Sequence, residues 1–172
     1  MRVEKTIFIV DDDPAQVEML TDHLAKHPNF TIHSFASGEE CLKNLSLHPD
    51  IVFLDYHFDR AAPNAMTGIE VLKKIKSYNP SIEVVIFSGQ DKIDVAINTM
   101  KYGAFDYIVK SESAFHRSDN VIFNIIRRLN LEHSAKFYKR LTYILGMAII
   151  LMLIIIIILY NMGLIKPFPE WS

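Results

Sequence analysis

The stretch Ile51-Val52-Phe53-Leu54-Asp55 constrains the fold of this chain more than any other. A bulky apolar run follows Pro49 and Asp50 and ends abruptly in a carboxylate. A run this short, apolar at every position, suits a strand buried on both faces of a parallel sheet. In open α/β sheets, chemistry gathers outside the carboxyl ends of the strands, the edge where Asp55 would stand. A single aspartate there can equally cap a turn, so the rest of the chain has to decide.

Four further strand signals accompany it. Residues 6–10 form an apolar run ending at Asp11-Asp12-Asp13. Pro14 follows, then Val17, Leu20 and Leu24 at helical spacing, so Asp13 reads as the N-cap and Pro14 as the first helical residue. That gives Asp13 a structural task and leaves Asp11 and Asp12 crowded at a strand end without one. Residues 30–35 alternate and read as an edge strand. Ser37 with Glu40 reads as a capping box before a helix using Cys41, Leu42 and Leu45. After Asp55, the polar segment 56–67 precedes a helix that opens at Gly68, places Ile69, Leu72 and Ile75 on one face and stops at Asn79-Pro80. Residues 83–87 form a fourth strand, ending at Ser88-Gly89. The next helix is expected to turn Ile93, Ile97 and Met100 inward and to end at Gly103. Residues 106–109 form a fifth strand, ending at Lys110, and a last helical pattern starts near Asn120 and continues to Leu129.

Five strands alternating with five helices predict an α/β fold, a parallel sheet covered by helices on both faces. Right-handed crossovers then bring all the strand ends to one edge. The single cysteine, Cys41, excludes an internal disulfide and a cysteine zinc site; it reads as a small buried residue. With 18 Lys and Arg against 20 Asp and Glu, the net charge of −2 offers no global basic surface for nucleic acid.

The residues gathered at the strand ends are Asp11, Asp12, Asp55, Ser88 and Lys110. Crowded carboxylates repel one another and favour a cation, and an all-oxygen donor set points to Mg²⁺ over zinc. Ser88 offers a hydroxyl donor, and Lys110 an ammonium for a phosphoryl oxygen. This set suits transfer of a phosphoryl group onto the Asp55 carboxylate.

The motifs Ile9-Val10-Asp11-Asp12-Asp13-Pro14, Leu54-Asp55, Phe87-Ser88-Gly89, Gly103-Ala104-Phe105-Asp106-Tyr107 and Val109-Lys110 resemble, in order, those of the receiver domain of bacterial two-component response regulators. The resemblance covers residues 5–129. It implies a flavodoxin-like doubly wound five-stranded sheet of order 2-1-3-4-5. It implies that Asp55 is the phosphoacceptor and that Mg²⁺ is held by Asp11, Asp12, Asp55 and the backbone carbonyl of His57. Ser88 and Tyr107 match the switch pair and Lys110 the phosphoryl-binding lysine. The implied partner is a histidine kinase or phosphotransfer protein in a phosphorelay, with no nucleic acid. The implied role is that of a phosphoacceptor rather than an enzyme acting on external substrates. A homodimer through the face of the fourth helix and fifth strand is a further expectation.

Two departures bear on the site. Gly68 stands thirteen residues after Asp55, making the intervening loop longer than the family's, and Arg60 in that loop is placed to reach the mouth. Ser111 replaces the family's proline after the lysine; a cis bond there would cost about 3 kcal/mol, so Lys110 is expected in a slightly different loop. Two rival readings stand beside this one. A phosphohydrolase of the haloacid dehalogenase type needs a second aspartate two residues after its nucleophile, and His57 occupies that position. A phosphate-independent docking module would keep the acidic pocket as a vestige.

From residue 141 to 165 no residue is charged, enough apolar helix to cross a bilayer about 30 Å thick. Arg127, Arg128, Lys136, Lys139 and Arg140 precede it and only Lys166 follows. The basic bias predicts a single-pass protein of the bacterial inner membrane with its receiver in the cytoplasm. The expected parts are a receiver at 5–129, a basic stalk at 130–140, a transmembrane helix at 141–165 and a short outer tail at 166–172, with no output domain after it. Tyr143, Tyr160 and Trp171 suit the interfaces. No proline or glycine lies between Asn120 and the apolar run, so the last helix is expected to continue into it.

Overall fold

The computed structural model describes residues 4–27, 29–58, 66–89 and 92–162. Five parallel strands form one sheet: β1 Lys5–Val10, β2 Phe30–Phe35, β3 Ile51–Leu54, β4 Glu83–Ser88 and β5 Asp106–Val109, in the order 2-1-3-4-5. The helices between and after them are α1 Pro14–Leu24, α2 Gly38–Lys43, α3 Gly68–Tyr78, α4 Ile93–Lys101 and α5 Ala114–Asn161. This is the flavodoxin-like architecture expected from the sequence. A short 3₁₀ turn, Leu45–Leu47, follows α2, so Leu45 is buried from that turn rather than from the helix.

The three inner strands carry the core. Every residue of β3 and of β4 is buried, as a strand covered by helices on both faces requires. The edge strand β2 is only half-buried over most of its length. The register pairs Val10 with Leu54, Leu54 with Ile86 and Ser88 with Val109. The residues at these strand ends, Asp11, Asp55, Ser88 and Lys110, therefore fall along one edge of the sheet.

Local signals act much as their chemistry dictates. The Asp13 side chain accepts from the Ala15 amide at the start of α1, with Pro14 inside the first turn. Ser37 caps α2 by accepting from the Glu40 amide, while the Glu40 carboxylate accepts from the Ala36 amide, one residue earlier than a strict capping box. Gly103 follows the cap of α4 at φ +92°, in the left-handed region that glycine tolerates. Cys41 is buried, and burial pushes its thiol up to about 12, so it is an inert packing residue.

Two expectations are corrected. Ile93, Ile97 and Met100 do not face the sheet: they are 75%, 50% and 41% exposed. The inner side of α4 is made instead by Val95, Ala96 and Thr99, small residues that let the helix lie close. Thr99 is fully buried because its hydroxyl donates to the Ala96 carbonyl. The last helix begins at Ala114, six residues before Asn120, because Ala114 and Ser118 are buried on the same side as Val121 and Ile122. Ser118 hides its hydroxyl by donating to the Ala114 carbonyl, so a polar residue sits on the apolar face and masks the periodicity.

The chain divides into two compact units after Phe123. The first holds the sheet and its helices. The second is the remainder of α5, which is helical to Asn161. Within it, Tyr138–Leu159 is 22 residues long, apolar and unburied, which by length and composition is enough to cross a membrane. Residues 163–165 at the end of the expected span and the tail 166–172, with Lys166 and Trp171, lie outside the described residues.

Candidate functional site

Three carboxylates meet at the C-terminal edge of the sheet. Asp11 follows β1, Asp12 comes next, and Asp55 follows β3; one oxygen from each lies within 4.8 Å of the others. Asp11 and Asp55 are both 5% exposed, and Asp12 is half-buried. Their positions are set by backbone bonds. The Asp55 amide donates to the Val10 carbonyl, extending the β1–β3 ladder by one residue. The Asp13 amide donates to Asp11 Oδ1.

Lys110 supplies the counter-charge. Its Nζ lies 2.6 Å from Asp11 Oδ2 and 3.3 Å from Asp55 Oδ1. The Lys110 amide donates to the Ser88 carbonyl at 2.7 Å, which locks the end of β5 onto the end of β4. Its ammonium also lies 5.9 Å from the centre of the Phe87 ring. No cis peptide occurs among the described residues, so the Lys110–Ser111 bond is trans, and the lysine still reaches the carboxylates.

Burial pushes the Asp55 carboxyl up to about 6; Lys110 opposes this and Asp11 reinforces it. Burial would lower the Lys110 ammonium, but the hydrogen bond to Asp11 and the charges of Asp55 and Asp11 outweigh it and leave it raised. At neutral pH the site therefore holds an ionised Asp55 against a firmly protonated lysine. The donor set fits a hard divalent cation, being all oxygen and rich in negative charge.

Ser88 is fully buried at the end of β4. Tyr107, in β5, is 5% exposed and belongs to the main core cluster. It also lines a groove with Ile93, Ile97 and Met100 of α4, so the displaced apolar face of that helix lies beside the tyrosine. His57 is exposed, and its ring meets Tyr56 edge-on. Arg60 lies outside the described residues.

One site contact has no signature in the sequence. A Cβ placed on Gly68 would stand 2.7 Å from the Asp55 carbonyl oxygen and 2.8 Å from the Tyr56 Cα, closer than atoms can approach. Despite its length, the loop after β3 thus returns tightly onto the backbone of Asp55. Its far end is fixed by a full capping box between Thr67 and Glu70, and by the Met66 amide donating to the Glu39 carboxylate of α2. The Thr67–Glu70 spacing was visible in the sequence. The approach of Gly68 to Asp55 was not, because nothing local encodes it.

Fold and site together define a flavodoxin-like α/β protein with a cation-seeking carboxylate cluster at the strand ends. Residues 7–117, more than half of the chain, match the response regulator receiver domain family, and the chain belongs to that family. Receiver domains are signalling phosphoacceptors that bind Mg²⁺ at an acidic pocket. Among curated relatives, the transcriptional regulatory protein MalR of Bacillus subtilis (strain 168) is 27% identical over 106 residues, 60% of this chain and 43% of that protein. The regulatory protein AtoC of Escherichia coli (strain K12) is 30% identical over 105 residues, 60% of this chain and 22% of that protein. This chain thus spans less than half the length of either. A chain in the CheX-CheY-BeF3-Mg²⁺ complex of Borrelia burgdorferi is 26% identical with a TM-score of 0.63, over 72% of this chain and 90% of that one. The receiver domain of a Luxo repressor protein from Vibrio parahaemolyticus shares the fold at a TM-score of 0.67 and 20% identity, over 76% of this chain and 95% of that one.

Proposed function

We propose that this protein is a membrane-tethered receiver whose Asp55 carboxylate accepts a phosphoryl group from a histidine kinase or phosphotransfer protein. The observation that carries the reading is the convergence of Asp11, Asp12, Asp55 and Lys110 on one buried spot at the sheet edge. Asp55 is the nucleophile: a bond forms from its oxygen to phosphorus as the donor's P–N bond breaks, and the imidazole nitrogen keeps the electron pair. Asp11 and Asp12, with Asp55 and the His57 carbonyl, would hold Mg²⁺, which when bound neutralises charge on the phosphoryl oxygens. Lys110, already at hydrogen-bond distance from the Asp11 carboxylate, would turn its ammonium to a phosphoryl oxygen. Ser88 donates its hydroxyl to another, and Tyr107 shifts with it.

The output follows from the corrected side of α4. Ile93, Ile97 and Met100 leave an exposed apolar strip beside Tyr107, on the face of α4 and β5. A shift of Tyr107 would reshape that strip, and a second copy or a membrane partner would read it. The parts are a receiver at 5–129, a basic juxtamembrane stalk at 130–140, a membrane span at 141–165 and a tail at 166–172 outside the cytoplasm of a bacterial inner membrane. The unburied apolar helix and the basic residues before it support the tether.

Incubation with Mg²⁺ and acetyl phosphate, followed by intact mass, tests the phosphoacceptor. One adduct is expected on wild type and none on Asp55→Asn. No adduct on wild type would leave the phosphate-independent docking module as the better reading. Carbonate extraction of membranes tests the tether, with the full chain expected in the pellet. Release into the supernatant would contradict it.

A further inference from the structure

The far end of α1 carries a second group of metal-ligating side chains. His23 lies in the last turn of α1. His27 follows just beyond it, where its amide donates to the Leu24 carbonyl and continues the helical turn. A spacing of four residues puts both imidazoles on one side of that turn. Asp119 approaches from α5, within the same compact unit. His23 Nε2 stands 2.8 Å from Asp119 Oδ1, and His27 Nε2 stands 3.5 Å from the same oxygen.

An ion pair accounts for the first contact and not for the second. At 2.8 Å, His23 and Asp119 share a hydrogen bond, whereas 3.5 Å is beyond the usual range for one. A second imidazole is nevertheless held at that oxygen. Each ring rests against a phenyl ring from another element: His23 lies 5.1 Å from Phe115 of α5, and His27 lies 5.2 Å from Phe30 of β2. The longer separation fits two donors of one tetrahedral zinc ion, because bonds of about 2.0–2.2 Å set neighbouring donors about 3.4 Å apart.

The cluster is open to an incoming ion. The side chains of His27 and Asp119 are 47% and 37% exposed, against 18% for His23. Among the described residues, the three aspartates of the phosphoacceptor site are the group whose ligand atoms already lie within 4.8 Å of one another. Here the two imidazoles flank one carboxylate instead, and His27, the most exposed of the three, turns to complete the set.

We propose that His23, His27 and Asp119 form a zinc site that ties the end of α1 to α5. Two imidazoles and one carboxylate suit zinc, whereas the all-oxygen aspartate cluster suits Mg²⁺, so the two sites select different ions. Each imidazole coordinates through Nε2 and keeps its proton on Nδ1, and water takes the fourth position. The donors are gathered only in the folded chain, so the ion stabilises the receiver.

The test is a zinc titration of the full chain in detergent micelles, with excess Mg²⁺ to occupy the aspartate cluster. Calorimetry is expected to show one zinc ion per chain, and zinc is expected to raise the melting temperature. His23→Gln and Asp119→Asn should each weaken binding roughly tenfold or more, since even a lost supporting contact costs a metal site that much. Asp12→Ala should bind zinc as wild type does. A plain ion pair predicts instead that Asp119→Asn lowers the melting temperature equally with and without zinc, and that result overturns the proposal. Wild-type protein provides a second reading that needs no variant to fold. Zinc should protect His23 and His27 from diethyl pyrocarbonate, as mapped by peptide mass. Protection of other histidines only, protection of none, or zinc binding that is lost in Asp12→Ala would each overturn the assignment.

Discussion

Lys110 Nζ and Asp55 Oδ1 stand 3.3 Å apart although their strands, β5 and β3, are separated in the sheet by β4. The contact depends on the aligned ends of the strands and on the backbone bond from Lys110 to Ser88. It places one fixed positive charge where negative charge would build up during phosphoryl transfer.

Replacing that charge should therefore affect rate more than fold. Lys110→Ala is expected to slow phosphorylation by acetyl phosphate roughly a hundredfold, the usual scale for removing one oriented charge or donor. Lys110→Arg should recover only part of the rate, because a planar guanidinium does not reproduce the compact ammonium. The time course of adduct formation by mass spectrometry measures both; an unchanged rate in Lys110→Ala would remove the lysine from the mechanism.

Gly68→Ala tests the closure of the long loop. The added methyl group meets the backbone of Asp55 and Tyr56, neither of which can swing aside as a side chain would. A loss of about 1–3 kcal/mol is expected, typical of an overpacked site, and is read from urea denaturation. A midpoint equal to wild type would mean that the loop does not hold this approach in solution.

Much of this arrangement was legible in the sequence because it is encoded locally. The apolar run 51–54 fixed a doubly buried strand, and the acids after it and after β1 marked the site edge. What is not legible there depends on long-range packing. The inner side of α4 uses Ala96 and Thr99, so its apolar residues Ile93, Ile97 and Met100 read as core although they are exposed. Ser118 hid the start of α5 in the same way, through a hydroxyl satisfied inside the helix. Gly68 marks the start of α3 in sequence and structure alike, but its contact with Asp55 follows from how the loop closes.

In metal-free buffer the stability of the protein should fall as pH rises through about 6. Burial raises the Asp55 carboxyl from 3.8 to about 6 in the folded state, so the folded protein holds that proton more tightly than the unfolded chain does. The resulting stabilisation is complete below 3.8 and lost above about 6. Asp55→Asn removes this dependence and should gain on the order of 2 kcal/mol at pH 7. Urea titrations at several pH values, with a chelator present, would show it; parallel profiles for the two proteins would contradict it.

Asp12→Ala separates the metal role from a structural one. It should abolish Mg²⁺ binding by calorimetry, and in metal-free buffer it should leave the melting temperature unchanged or raised, because one of three crowded carboxylates is gone. A lower melting temperature in metal-free buffer would mean that Asp12 is structural.

The most direct test of the central claim is to locate the phosphoryl group chemically. An acyl phosphate on aspartate is reduced by borohydride to homoserine, which peptide mapping assigns to one position. Treatment with acetyl phosphate and Mg²⁺ should convert Asp55 alone, and chelation of the metal should prevent it. Conversion at Asp11 or Asp12, or no conversion with metal and phosphodonor present, would contradict the assignment of Asp55 as the phosphoacceptor.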